Sequence, residues 1–183
     1  MTPDRSKNYF ELFGLQPVYK IDVHRLDAAY RDLQSEVHPD RFAAAPEAER
    51  RRSMQWSTLA NEAYQTLRKP LSRARYLLKL NGVDTEEETN TAMPGDFLMK
   101  QLEWREAMAE AKDNHDVATL HRLAADLAEA SKALLASLEQ TLDVAADYAK
   151  AAASVRELRF MQKLTEDIDE ALALTQGYQG DIA

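Results

Sequence analysis

The chain has no cysteine. Disulfides, thiol catalysis and thiolate metal sites are therefore excluded, and a reducing compartment such as the cytoplasm is expected. Glycine is scarce, with five in 183 residues, and β-branched residues do not gather into runs. Both absences argue for an all-α fold. No apolar stretch approaches the ~20 residues of a membrane span. Met1-Thr-Pro-Asp-Arg-Ser-Lys7 lacks the apolar core of a signal peptide. The four histidines, His24, His38, His115 and His121, never pair at i, i+4, so no zinc site is expected. A Gly-rich phosphate loop and an activated nucleophile are missing too, which argues against an enzyme and against a cofactor.

Positive charge is in deficit, but on one side only. The formal net charge is −8. Residues 1–81 carry 14 Lys/Arg against 10 Asp/Glu, a net +4, and residues 82–183 carry 9 against 21, a net −12. A change of sign between halves predicts two domains with different partners. The acidic total argues against nonspecific nucleic-acid binding.

What is present reads as helices. Asn8 and Gly14 bracket a short first helix anchored by Phe10 and Phe13. Asp22 caps a second, with Leu26, Tyr30, Leu33 and Val37 recurring at helical spacing. Proline lacks an N–H and disfavours α geometry before it, so this helix ends near His38, at the turn His38-Pro39-Asp40. A loop over 38–46 leads to a third helix starting at Pro46, with Met54, Trp56, Leu59, Ala60, Ala63 and Leu67 as its buried positions. Lys69-Pro70 breaks it, and a fourth helix runs from Leu71 to Leu80. Four helices with an antiparallel central pair make one domain, residues 1–82.

Residues 83–96 are acidic, contain Pro94-Gly95, and read as a linker with Asp96 capping the next helix. From Phe97 to Thr175 there is neither proline nor glycine. Breaks at Asp113–Asp116, with Asp116 as N-cap, and at Asp143–Asp147 divide this span into three helices, a bundle over 97–176 followed by a tail, 177–183. The middle helix buries Leu120, Leu123, Leu127, Ala130, Leu134 and Leu138. The last buries Leu158, Met161, Thr165, Ile168 and Leu172.

His38-Pro39-Asp40, set between an amphipathic helix and a long third helix, resembles the J-domain of 70-kDa heat-shock chaperone partners. Asn8–Leu15, Ala63–Leu71, Arg73–Leu78, Phe97–Glu106 and Val155–Phe160 extend the likeness to the HscB-type co-chaperones of iron–sulfur cluster assembly, over roughly residues 8–175. The resemblance implies a J-domain and a three-helix bundle arranged in an L. It implies stimulation of ATP hydrolysis by a dedicated chaperone of the HscA kind. It also implies delivery of an iron–sulfur scaffold protein of the IscU kind. Some relatives carry an N-terminal cysteine-rich zinc module; a chain without cysteine looks like the bacterial form, and a monomer is expected.

Two surfaces follow. Asp40 is an acceptor-only carboxylate suited to an arginine, Pro39 fixes the turn, and His38 adds a donor. Arg25, Arg31 and Arg41, with His24, give a modest positive patch beside it for the chaperone. Asp27, Asp32 and Glu36 interleave, so the helix is less basic than in most J-domains, which argues against promiscuous use of general chaperones. Arg50-Arg51-Arg52 reads as a solvated face. On the helix from Phe97, with Leu98 at 0°, Phe97, Trp104 and Met108 fall at about 240–280° and form the better core. Leu98, Met99 and Leu102 fall at about 0–100° and Glu103, Glu106 and Glu110 at about 80–140°. Those six are expected to be exposed and to dock the scaffold, together with Phe160, an aromatic off its own helix's core stripe. A J-domain protein with another client, or a helical adaptor without chaperone activity, are the alternatives.

Overall fold

The computed structural model describes residues 8–85, 87 and 93–180, with side chains to 174. The chain forms two compact units that divide after Asn81. Most of the acidic middle of the expected linker, and the last residues of the expected tail, lie outside the described residues.

The first unit holds α1 (Tyr9–Leu12), α2 (Val23–Val37), a 3-10 turn (Pro39–Phe42), α3 (Glu47–Arg68) and α4 (Pro70–Leu80). Asn8 opens α1 in a reciprocal capping box with Glu11, and Gly14 closes it at φ +63, a left-handed angle glycine adopts without Cβ strain. The Asp22 carboxylate accepts from the N–H groups of His24 and Arg25 and starts α2. Phe10, Leu26, Ala60, Ala63, Leu67, Ala74 and Leu78 are wholly buried and form the core. Tyr9 pins α1 on this core. Its ring stacks on Tyr76 at 4.4 Å, and its hydroxyl donates to Glu62 at 2.8 Å. Burial first, and the carboxylate second, push its pKa up to about 12.

The α2–α3 contact departs from the expected apolar seam. Only Leu26 is fully buried; Tyr30, Leu33 and Val37 are half-buried. Polar pairs fill the remainder. Tyr30 stacks on Tyr64 at 4.0 Å, its hydroxyl donates to Asn61 at 2.6 Å, and the Tyr64 hydroxyl donates to Asp27 at 3.0 Å. Asp27 also pairs with Arg68 at 3.3 Å. A second correction falls on α3. Met54 is 59 % exposed, and Ser53 takes the buried place. The buried register runs 53, 56, 60, 63, 67, so Met54 lies one residue, about 100°, off it. Ser53 can be buried because its hydroxyl is bonded, as described below.

The second unit holds α5 (Gly95–Asp113), α6 (Val117–Glu139), a π-turn (Gln140–Val144) and α7 (Tyr148–Gly180). Asp96 does not cap α5: the helix begins at Gly95, two residues earlier than expected, with Pro94 in the cap position, and Asp96 sits in its first turn. There a carboxylate favours the helix dipole without a cap bond. Asp116 does cap α6, accepting from the Thr119 N–H at 3.0 Å and its hydroxyl at 2.6 Å. These bonds hold its carboxyl below the usual aspartate range. The break before α7 is a π-turn closed by Ala145 N–H to Gln140 O, with Ala146 at φ 49 and Asp147 accepting from Lys150 N–H at 3.0 Å. The helix continues to Gly180, past the expected end at 176. Helix α6 packs on both α5 and α7. Leu120, Leu127, Leu138, Val155 and Ile168 are wholly buried between them. Leu164 joins the α7 core, while Thr165 is half-buried with its hydroxyl on Met161 O.

Candidate functional site

The His38-Pro39-Asp40 corner is set by where the last carbonyls of α2 find donors. Ser35 O would accept from residue 39, and Pro39 has no N–H. The Arg41 guanidinium donates there instead, at 2.6 Å. Val37 O would accept from Arg41 N–H, but that group turns back to His38 O in the 3-10 turn. The Ser53 hydroxyl, reaching from α3, donates to Val37 O at 2.6 Å. Asp40 N–H donates to His38 Nδ1 at 3.3 Å. The neutral ring then carries its proton on Nε2. The same Nδ1 lies 3.5 Å from Asp40 Oδ2, a contact that becomes an ion pair only on the protonated ring. The Asp40 side chain is 90 % exposed. A rigid corner thus offers a carboxylate whose own backbone is already satisfied.

Of the cations expected beside it, His24 and Arg31 are exposed on α2. Arg25 is engaged within the fold, donating to Gly14 O at 3.0 Å at the end of α1. Arg41 is engaged as above. Arg41 keeps its charge at the corner while holding the backbone, whereas Arg25 sits in the first turn of α2, about 20 Å along the helix from His38, and is not beside it. Arg50, Arg51 and Arg52 are exposed, with Arg51 3.5 Å from Glu47 one turn back.

On α5 the core face carries Phe97, which is buried, with Trp104 edge-on to it at 6.1 Å. Leu98, Met99 and Leu102 are 42 %, 60 % and 55 % exposed. Glu103, Glu106 and Glu110 are exposed beside them. One helix face therefore holds three apolar side chains in water next to three carboxylates. Phe160 differs from expectation. It is half-buried on the α5–α7 seam, edge-on to Phe97 at 5.8 Å, and the Arg105 guanidinium lies over its ring at 5.1 Å. Its angle off the α7 stripe brings it to α5 rather than into open solvent. Sequence reading missed Ser53 and Arg105. A polar residue in register with an apolar stripe is the signal for the first; an arginine at i+7 from Leu98 is the signal for the second.

Among the described residues no group of three or more metal-ligating side chains occurs, and no helix is long and apolar enough to cross a membrane.

A family model described as the HSCB C-terminal oligomerisation domain matches residues 93–169. The co-chaperone protein HscB homolog of Azoarcus sp. (strain BH72) is 51 % identical over 172 residues, 94 % of this chain and 97 % of that one. The homolog from Cupriavidus taiwanensis is 51 % identical over 165 residues, 90 % and 93 % of the two chains. Among solved structures, chaperone HscB from Vibrio cholerae aligns with a TM-score of 0.77 at 34 % identity, over 92 % of this chain and 99 % of that chain. Human co-chaperone HscB aligns with a TM-score of 0.84 at 31 % identity, over 92 % and 83 %. With half-identical relatives along nearly its whole length, and with a His-Pro-Asp corner on a four-helix J-domain followed by a helical C-terminal domain, this chain belongs to the HscB family of co-chaperones.

Proposed function

We propose that this chain stimulates ATP hydrolysis by a dedicated 70-kDa chaperone of the HscA kind and delivers to it an iron–sulfur scaffold protein of the IscU kind, assisting cluster assembly or transfer. The observation that carries the first half is Asp40: a fully presented carboxylate on a corner whose neighbouring backbone groups are bonded within the fold. A carboxylate so placed forms a charge-assisted, bidentate bond to an arginine of the partner at little ordering cost. The hydrolytic chemistry belongs to the partner, and this chain is not an enzyme. Family membership and the exposed Leu98/Met99/Leu102 face with its three glutamates support the second half. Apolar burial there supplies affinity, and the carboxylates orient a basic partner. Phe160 joins this face at its edge. We assign residues 83–94 as the linker between the two working units, two residues shorter than expected because α5 already begins at Gly95, and the cytoplasm as their place of action, in keeping with a chain free of cysteine.

We also propose that the chain works as a monomer. Two copies pairing through α5 would set Glu103, Glu106 and Glu110 against like charges. The matched family model is described by oligomerisation, so the point is measurable: sedimentation equilibrium should give a single 20.7 kDa species, and a dimer would reject it.

Single-turnover ATPase of an HscA-like chaperone, with and without this chain and the scaffold, tests the main reading. Stimulation by the wild type and none by Asp40→Ala is expected. Full stimulation by Asp40→Ala would reject the role of the corner.

A further inference from the structure

We propose that Arg105 is a specificity-determining residue of the α5 docking face, held ready by Phe160 to receive a carboxylate of the partner. This rests on the reading of that face given above.

At 100° per residue Arg105 falls about 20° from Leu98, so Leu98, Leu102 and Arg105 form one line at i, i+4, i+7. The apolar strip is therefore flanked unequally. Glu103, Glu106 and Glu110 stand on one side, and Arg105 continues the strip toward α7 on the other. In a half of the chain with net charge −12, such an arginine would ordinarily be drawn into an intrahelical pair. Its neighbours at i±3 and i±4 are Gln101, Leu102, Met108 and Ala109, none of which is acidic. Its contact is instead the Phe160 ring, at 5.1 Å. A cation held over a ring face spends none of its N–H groups on that contact, so the guanidinium fork can still take a carboxylate bidentately. The ring is itself fixed edge-on by Phe97 at 5.8 Å, so the arginine is placed by the core.

A partner segment that fits must be apolar in the middle, basic where it meets the three glutamates, and acidic where it meets Arg105. That polarity permits one orientation and rejects the reverse, in which like charges would face each other on both flanks. Phe160 then contributes to binding through the arginine it positions as well as through its own exposed edge.

The experiment uses the full chain and a scaffold protein of the IscU kind, with affinity measured by titration calorimetry at low and moderate salt. Arg105→Gln is expected to bind about tenfold more weakly with a shallower salt dependence, and Arg105→Glu about a hundredfold more weakly. Arg105→Lys keeps the charge but not the planar fork and should fall between wild type and Arg105→Gln. A charge reversal of one scaffold carboxylate to lysine should recover binding by Arg105→Glu while weakening binding by wild type. Thermal midpoints of the variants report folding independently. If Arg105→Gln and Arg105→Glu bind within twofold of wild type while Leu98→Ala/Met99→Ala/Leu102→Ala loses binding, the proposal is wrong and the docking face stands. If the triple alanine variant also binds unchanged, the docking face itself fails and Arg105 with it.

Discussion

The two units reach an exposed working surface by opposite routes. In the J-domain the presented group is polar, and rigidity comes from tying down the backbone around it. Arg41 and Ser53 take the two carbonyls that Pro39 and the 3-10 turn leave open at the end of α2. In the C-terminal unit the presented groups are apolar, and rigidity comes from the helix that carries them. Phe97 is buried on one side of α5 with Trp104 half-buried against it, and Leu98, Met99 and Leu102 are left outside. A carboxylate costs nothing to expose, so the first surface needs only a corner. Three apolar side chains exposed together on one helix face form the kind of patch that the proposed scaffold would cover.

This contrast gives separable failures. The largest expected effect is that of Asp40→Ala. It should remove stimulation of the HscA-like ATPase, at least tenfold, because a lost charge-assisted contact is worth about 1.5–3 kcal/mol. Scaffold binding should be untouched; a fall in both would break the separation of the two surfaces. Next is Leu98→Ala/Met99→Ala/Leu102→Ala. A loss of about a hundredfold in scaffold affinity is expected, on the scale of hot-spot residues at about 2 kcal/mol or more. The same variant should keep its melting midpoint, since these side chains are not in the core. Stimulation of the ATPase without scaffold should be unchanged.

Smaller is Ser53→Ala. It leaves Val37 O without its donor and should destabilise the J-domain by about 1 kcal/mol, read by chemical unfolding. It should also raise the concentration of chain needed for half-maximal ATPase stimulation while leaving the plateau in place, because a looser corner is competent less of the time. Ser53→Thr retains a hydroxyl and should lie nearer wild type. The smallest effect concerns pH. The Asp116 pKa is lowered in the folded state by its bonds to Thr119. Its contribution to the bundle is therefore complete above the ordinary aspartate value. It is lost as pH falls through the lower folded one. Unfolding of Asp116→Asn followed over that acid range should show a flatter pH dependence than wild type, with the J-domain unaffected.

Much of this was legible in the residues, for definite reasons. Caps at Asn8, Asp22 and Asp116 can be read because side-chain oxygens beside a periodic run have one local use. The outward leucines of α5 could be read because a helix in a small bundle needs only one buried face. Other features depend on long-range partners. Ser53 looks like a surface residue until Val37 O is brought beside it, and Met54 looks like a core residue for the same reason. The α2–α3 seam is polar and aromatic because Tyr30, Asn61, Tyr64, Asp27 and Arg68 satisfy one another across two helices, which periodicity does not reveal. Phe160 was visible as lying off its stripe, but its meeting with Phe97 and Arg105 follows from how α5 lies against α7.

The central claim is that one chain joins the two surfaces, so that the scaffold is brought to the chaperone by the same molecule that triggers hydrolysis. Mixing in trans tests it most directly. Asp40→Ala is expected still to hold the scaffold, and the triple alanine variant of Leu98, Met99 and Leu102 still to carry an intact corner. An equimolar mixture of the two should fail to restore the scaffold-dependent part of single-turnover stimulation seen with wild type. Restoration to the wild-type rate would contradict the account, since it would mean that the trigger and the delivery need not reside on one chain.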